Sequence, residues 1–134
     1  MRGACVAAVL AVAGLLSVAC NGLVDPSKNV TDTFNGAVAP QGFESHAFAV
    51  DKNGEISIKI TAQAPVDNIP LGVIWAQAAG DGSCTGAVLQ SGYGYPGSGP
   101  VVVGQIFTGN YCVLVYDLGI LQASETYTVT VSHP

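Results

Sequence analysis

Between residues 55 and 62 the chain reads Glu-Ile-Ser-Ile-Lys-Ile-Thr-Ala, so Ile56, Ile58 and Ile60 alternate with Ser57, Lys59 and Thr61. A period of two puts the isoleucines on one side of an extended strand and the polar residues on the other, a sorting that no helix achieves. Such a strand must hide its isoleucine face against another layer. The same alternation recurs upstream, where His46, Phe48 and Val50 interleave with Ser45, Ala47 and Ala49, and at the end, where Tyr127, Val129 and Val131 interleave with Thr126, Thr128, Thr130 and Ser132. Residues 71–78, 100–107 and 111–117 are more continuously apolar, as strands enclosed by a core are. Asp51-Lys52-Asn53-Gly54 reads as a hairpin turn, because Asn and Gly tolerate positive φ, and Thr108-Gly109-Asn110 reads as a second. Gly or Pro punctuates nearly every segment after residue 20, and no helical pattern of useful length or internal repeat occurs there. Seven to eight short strands at this spacing predict an all-β fold, an antiparallel β-sandwich. Sandwich sheets have edges, and Lys59 with the prolines at 65, 70, 96 and 100 are expected guards against edge pairing.

The first residues have another character. Arg2 is followed by an uncharged apolar run over residues 4–18, the composition of a helical signal-peptide core. Its 15 residues fall short of the roughly 20 needed to cross about 30 Å of hydrocarbon at about 1.5 Å per residue. The run ends Leu16-Ser17-Val18-Ala19-Cys20, which resembles the lipobox of bacterial lipoproteins. That resemblance implies cleavage before Cys20, a thioether-linked diacylglycerol on its sulfur and an N-acyl chain such as palmitate. More than one chain at about 0.8 kcal/mol per buried methylene gives stable membrane anchoring. Asn21, where an aspartate would retain the protein at the inner membrane, implies the outer membrane. Ser17 and Ala19 also suit ordinary signal peptidase, so secretion of the same domain stands as the alternative.

Cysteine usage bears on that choice. Cys5 leaves with residues 1–19 and Cys20 takes the lipid, so Cys84 and Cys112 remain as an even pair. Ordinary cleavage would instead leave an odd, exposed Cys20. Cys84 falls in a Gly-rich loop and Cys112 in a strand, and an exported location predicts a disulfide between them. At a separation of 28 residues the bond stabilises by roughly 3 to 4 kcal/mol in the chain-entropy model.

Residues 20–29, Cys-Asn-Gly-Leu-Val-Asp-Pro-Ser-Lys-Asn, lack periodicity and read as a tether, leaving residues 30–134 as one sandwich domain. From Cys20 onward three lysines and no arginine face nine acidic residues, a formal charge of −6 once the N-terminus is acylated. That surface repels phosphate backbones and excludes nucleic acid as a partner.

From Phe34 to the end the pattern resembles the bacterial pre-peptidase C-terminal domain family. The matching stretches are Asp32-Thr33-Phe34-Asn35-Gly36, Ser45-His46-Ala47-Phe48-Ala49-Val50, Ile56-Ser57-Ile58-Lys59-Ile60, Gly109-Asn110-Tyr111-Cys112-Val113-Leu114-Val115-Tyr116-Asp117 and Tyr127-Thr128-Val129-Thr130-Val131. The resemblance implies a jelly-roll-like sandwich that is not itself catalytic. It also implies an accessory role, binding substrate or matrix beside a separate hydrolase. None of the calcium ligands or aromatic contacts of its collagen-binding relatives can be placed on these residues.

Chemistry-bearing residues are sparse. His46 shares a face with Phe48 and Val50 and is expected as a hydrogen-bonded sandwich histidine, and His133 falls where chain ends fray. No serine, cysteine or carboxylate stands at a motif spacing from either, and Gly-x-Ser-x-Gly and His-Glu-x-x-His are absent, so an enzyme is not expected. Asp25, Asp32, Glu44, Asp67, Asp81 and Asp117 form no dense Asp-x-Asp-x-Asp-Gly run, and calcium has no motif to support it. Asp117, before Leu118-Gly119, is expected to accept backbone N–H groups in a turn, and Trp75 is expected in the core. The most suggestive segment for binding is Ser91-Gly92-Tyr93-Gly94-Tyr95-Pro96-Gly97-Ser98-Gly99-Pro100. Its Tyr93 and Tyr95 offer rings able to stack on sugars of an envelope polysaccharide or to pack against an envelope protein.

If Cys20 carries the anchor, Cys20→Ser moves the protein from the membrane pellet to the soluble fraction, and mass spectrometry of the wild-type N-terminal peptide finds a diacylglyceryl cysteine. A Cys20→Ser variant that still pellets with membranes would overturn the anchor.

Overall fold

The computed structural model describes residues 25–134, and the expectations for the signal segment, Cys20 and the first half of the tether lie outside them. Within the tether, Pro26–Lys28 forms a 3-10 turn in which the Asp25 carboxylate accepts hydrogen bonds from the N–H and hydroxyl of Ser27.

The domain has eight strands: β1 (Val30–Val38), β2 (Phe43–Val50), β3 (Gly54–Ala64), β4 (Leu71–Gln77), β5 (Val88–Gly94), β6 (Val102–Ile106), β7 (Gly109–Tyr116) and β8 (Glu125–His133). They form two four-stranded antiparallel sheets, sheet A ordered β1-β8-β3-β6 and sheet B ordered β2-β7-β4-β5. Successive strands change sheet at every step except β4 to β5, which is the jelly-roll winding of a sandwich.

The alternation read from the sequence becomes the core. Ile56, Ile58 and Ile60 from β3, with Val129 and Val131 from β8, face Phe48, Val50, Val73, Trp75, Val113 and Val115 from sheet B, all buried. Truncating one of the isoleucines to alanine at such a position costs about 2–5 kcal/mol.

Both expected hairpins are something else. Residues 51–53 join β2 in sheet B to β3 in sheet A, and Phe107 and Thr108 join β6 in sheet A to β7 in sheet B, so each connection is an arch over the end of the sandwich. Because β3 pairs with β6 and β2 with β7, the arches lie side by side. Asn53 spends its side chain on fastening them, its Oδ1 accepting from the Thr108 N–H at 2.9 Å. Among the described residues the single hairpin runs instead from β4 to β5 through residues 78–87. Lys59 stands at the first residue of β3 beyond its pairing with β6, where that edge becomes free.

Nor does His133 fray. β8 is flanked by β1 and β3, and its last residue is 4% exposed, stacked on Phe48 with ring centroids 5.5 Å apart and bonded through Nε2 to Asp32 at 3.1 Å.

The opposite pole is organised by Asp117. Its carboxylate accepts from the backbone N–H of Gln41 at 2.8 Å and from those of Gly119, Ile120 and Leu121 at 2.9 to 3.1 Å, tying the β1–β2 turn to the β7–β8 connection. The Gln41 N–H above all, then those of Leu121, Ile120 and Gly119, hold the carboxyl below its ordinary 3.8. A folded-state value below the unfolded one gives stability that is complete above about pH 4 and lost as pH falls through the folded value. Asp117→Ala is therefore expected to lower the melting temperature at pH 7 and to flatten the fall of melting temperature with pH below 4. Equal acid limbs in variant and wild type, by calorimetry, would contradict this.

Candidate binding face

On β2 the interior takes Glu44, His46, Phe48 and Val50, which leaves Phe43, Ser45, Ala47 and Ala49 facing outward. Register extends the choice across sheet B: Phe43 stands opposite Tyr116, Tyr116 opposite Gly72, and Gly72 opposite Tyr93. Directly opposed residues of antiparallel strands point to the same side. One row on the outer face thus carries three aromatic rings and a glycine, and with strands about 4.8 Å apart it is about 14 Å long. Phe43 and Tyr93 are 70% and 71% exposed at its two ends. The neighbouring row, Ser45, Leu114, Ile74 and Ser91, is likewise uncharged.

Gly72 determines how the row is shaped. A Cβ placed on it would overlap Cζ, Cε1 and Cε2 of Tyr116 at nearly equal distances, so the atom would sit beneath the face of the ring and not at its edge. Tyr116 therefore leans from β7 onto β4 and lies flat over the bare glycine backbone, where it is half-buried. An aromatic covering a cross-strand glycine restores the contacts the missing side chain forfeits.

The third row, Ala47, Cys112 and Ala76, is closed off. Cys112 faces outward there, and its disulfide to Cys84, with S–S 2.01 Å, draws residues 78–87 across that end of the face. The Ala78 N–H donates to the Asn110 carbonyl at 3.1 Å, and Gly82 passes over Ala47. The predicted disulfide thus exists and walls one end of the open face formed by the aromatic row and its neighbour. The open half lies at the pole where Asp117 works, while Val30, where the chain enters β1, pairs with His133 at the other. Eight steps along β1 at about 3.4 Å put the two poles about 27 Å apart.

Of the two tyrosines singled out from the sequence, Tyr93 lies in this row on β5. Tyr95, 41% exposed, opens a turn in which the Ser98 N–H donates to its carbonyl and its own N–H donates to Ser98 Oγ. No register places Tyr95 in the row. Phe43, Tyr116 and Gly72 carry no local signal of a site, although parity with Phe48 marks Phe43 as outward-facing.

Sheet A differs. Its outer face carries Thr31, Thr33, Asn35, Ser57, Lys59, Thr128 and Thr130, a hydroxyl-rich surface with Thr128 Oγ1 donating to Asn35 Oδ1 at 2.7 Å.

The titratable groups have local employment. His46 Nε2 meets the Tyr127 hydroxyl at 2.7 Å, its ring stacks on Phe34 with centroids 4.9 Å apart, and Glu44 accepts from the Ala37 N–H at 2.8 Å and from Tyr127 at 3.4 Å. Gly36 leaves the space into which Glu44 and Tyr127 reach. Burial lowers the His46 pKa, against the pull of Glu44, and burial with Glu44 raises that of Tyr127, so at neutral pH the imidazole is neutral and the phenol keeps its proton. This is the hydrogen-bonded sandwich histidine expected from the sequence. Among the described residues no serine or cysteine bonds either histidine, and no three His, Cys, Asp or Glu side chains are grouped to hold a metal. Asp32 holds His133, and Asp81 accepts from Ser83.

Compared with known proteins, the chain matches no family model and no curated protein.

A side chain at position 72 must evict the Tyr116 ring. Gly72→Val is expected to destabilise the domain by about 1–3 kcal/mol, and to cost clearly less in a Tyr116→Ala background. Strict additivity of the two in urea unfolding would show that the ring does not rest there.

Proposed function

We propose that the protein is a non-catalytic binding module of a bacterial cell envelope, held on the outer membrane by lipid on Cys20 and engaging its ligand through the outer face of sheet B. The observation that carries this reading is the row Phe43, Tyr116, Gly72 and Tyr93. Two of its rings are more than two-thirds exposed, and aromatic area left in water at that density marks interaction surfaces. Placement supports it as well. A chain tethered through residues 20–29 enters the domain at Val30, and the row lies at the other end, facing away from the membrane. The domain is built to hold a surface, with both histidines committed to packing and hydrogen bonds. Secretion without the lipid would keep the same face, and an accessory role beside a separate hydrolase, implied by the resemblance to pre-peptidase C-terminal domains, would use it to hold that enzyme's substrate.

The test is capture from solubilised envelope by the immobilised full chain, compared with a Phe43→Ala/Tyr93→Ala double variant. Both residues are exposed, so the variant is expected to keep the wild-type melting temperature while losing at least ten-fold in captured material. Undiminished capture would remove sheet B from the proposal.

A further inference from the structure

From the shape and charge of the same face we infer its ligand: a neutral polysaccharide in an extended conformation, lying across the strands of sheet B along the row from Phe43 to Tyr93. The inference rests on the binding-module reading and adds the chemical class.

The flat Tyr116 ring is the first ground. Resting face-down on Gly72, it presents a horizontal aromatic platform, and the ring faces of aromatic residues accept the axial C–H groups of a pyranose. A protein partner is better gripped by a side chain that projects into a pocket, and this one is pressed against its own backbone.

Spacing is the second ground. The row crosses four strands at about 4.8 Å each, close to the advance of one sugar in an extended glycan, so every ring falls opposite a sugar of a chain laid along it. With Tyr116 displaced onto β4, its ring stands next to Tyr93 on β5 and two strands from Phe43 on β2. The loop of residues 78–87, pinned by Cys84–Cys112, blocks a ligand laid along the strands and leaves the direction across them open. In the adjoining row Ser45 and Ser91 are exposed hydroxyls able to exchange hydrogen bonds with sugar hydroxyls.

Charge is the third. The two open rows hold no ionised side chain, and the chain as a whole is acidic, with nine Asp and Glu against four Lys and Arg. Uronate, phosphate or sulfate polymers find nothing there to neutralise them and a repelling field around. Neutral hexose or N-acetylhexosamine chains meet neither obstacle.

The experiment is affinity electrophoresis of the full chain in native gels containing hydroxyethyl cellulose, glycol chitin at a pH that leaves it uncharged, or soluble starch, with alginate as the anionic control. Retardation is expected with at least one neutral polymer and none with alginate. Tyr93→Ala and Phe43→Ala should each weaken the retardation about ten-fold, as loss of one aromatic contact does, and Tyr93→Trp should retain it. Absence of retardation by every neutral polymer, retardation by alginate alone, or retardation untouched by Tyr93→Ala would each overturn the inference. If the glycan arm fails while the capture experiment still depends on Phe43 and Tyr93, the face is a protein-binding surface, so the sugar assignment falls and the binding-module reading survives. Failure of both arms removes both.

Discussion

Side chains of a strand alternate between its two faces, and sheet pairing forces neighbouring strands to alternate in step. In this chain that coupling determines both the core and the exposed aromatic row. Once Ile56, Ile58 and Ile60 are turned inward, register with β8 turns Val129 and Val131 inward, and the packing of the two sheets requires Val73, Trp75, Val113 and Val115 to meet them. The same coupling forces some residues out. Phe43 and Tyr93 have the wrong parity for the interior, and Tyr116 does too, so three rings reach the surface at matching heights because the strands that carry them are hydrogen-bonded in one register. A one-residue slip in β2 would bury Phe43 and expose Phe48.

How far the sequence discloses this depends on whether the relevant relationship is local. Alternation is local, and the β-class, the core positions of β3 and β8, and the inward face of β2 are legible from it. Asp117 is legible because an Asp before Leu-Gly serves the adjoining turn, although its fourth donor, Gln41, comes from a distant turn. The two arches pass for hairpins in the sequence because Asp-Lys-Asn-Gly and Thr-Gly-Asn have the chemistry of hairpin turns. What makes them arches is that the strands they join pair with other strands, a fact held by residues far away in sequence. His133 misleads for a related reason: nearness to the end of a chain argues for fraying only until the strand is known to run between two others.

The aromatic row is the extreme case. Tyr93 stands out in a Gly- and Pro-rich segment, but neighbours in the row, from Phe43 to Tyr116, Gly72 and Tyr93, lie 73, 44 and 21 positions apart and share no motif. Only β2-β7-β4-β5 pairing brings them into line. Gly72 shows the point most plainly, since within an apolar strand it reads as a weak spot, and its value lies in the ring from another strand that covers it.

The Cys84–Cys112 bond has a reach beyond the loop it pins. The segment it closes contains β5 and β6, the strands that stand together at one border of the sandwich, one at the rim of each sheet. Each holds to a single neighbouring strand, β5 to β4 and β6 to β3, as β1 and β2 do at the opposite border, so this is one of the two borders from which the domain can open. Because both ends of the excursion are riveted covalently, through Cys112, to the interior strand β7, a momentary loss of pairing at the rim cannot peel away along the chain. Tyr93 rides on that rim. The cross-link thereby gives an exposed border strand the positional memory of an interior one, so that the rings on it come back to the same alignment after each excursion.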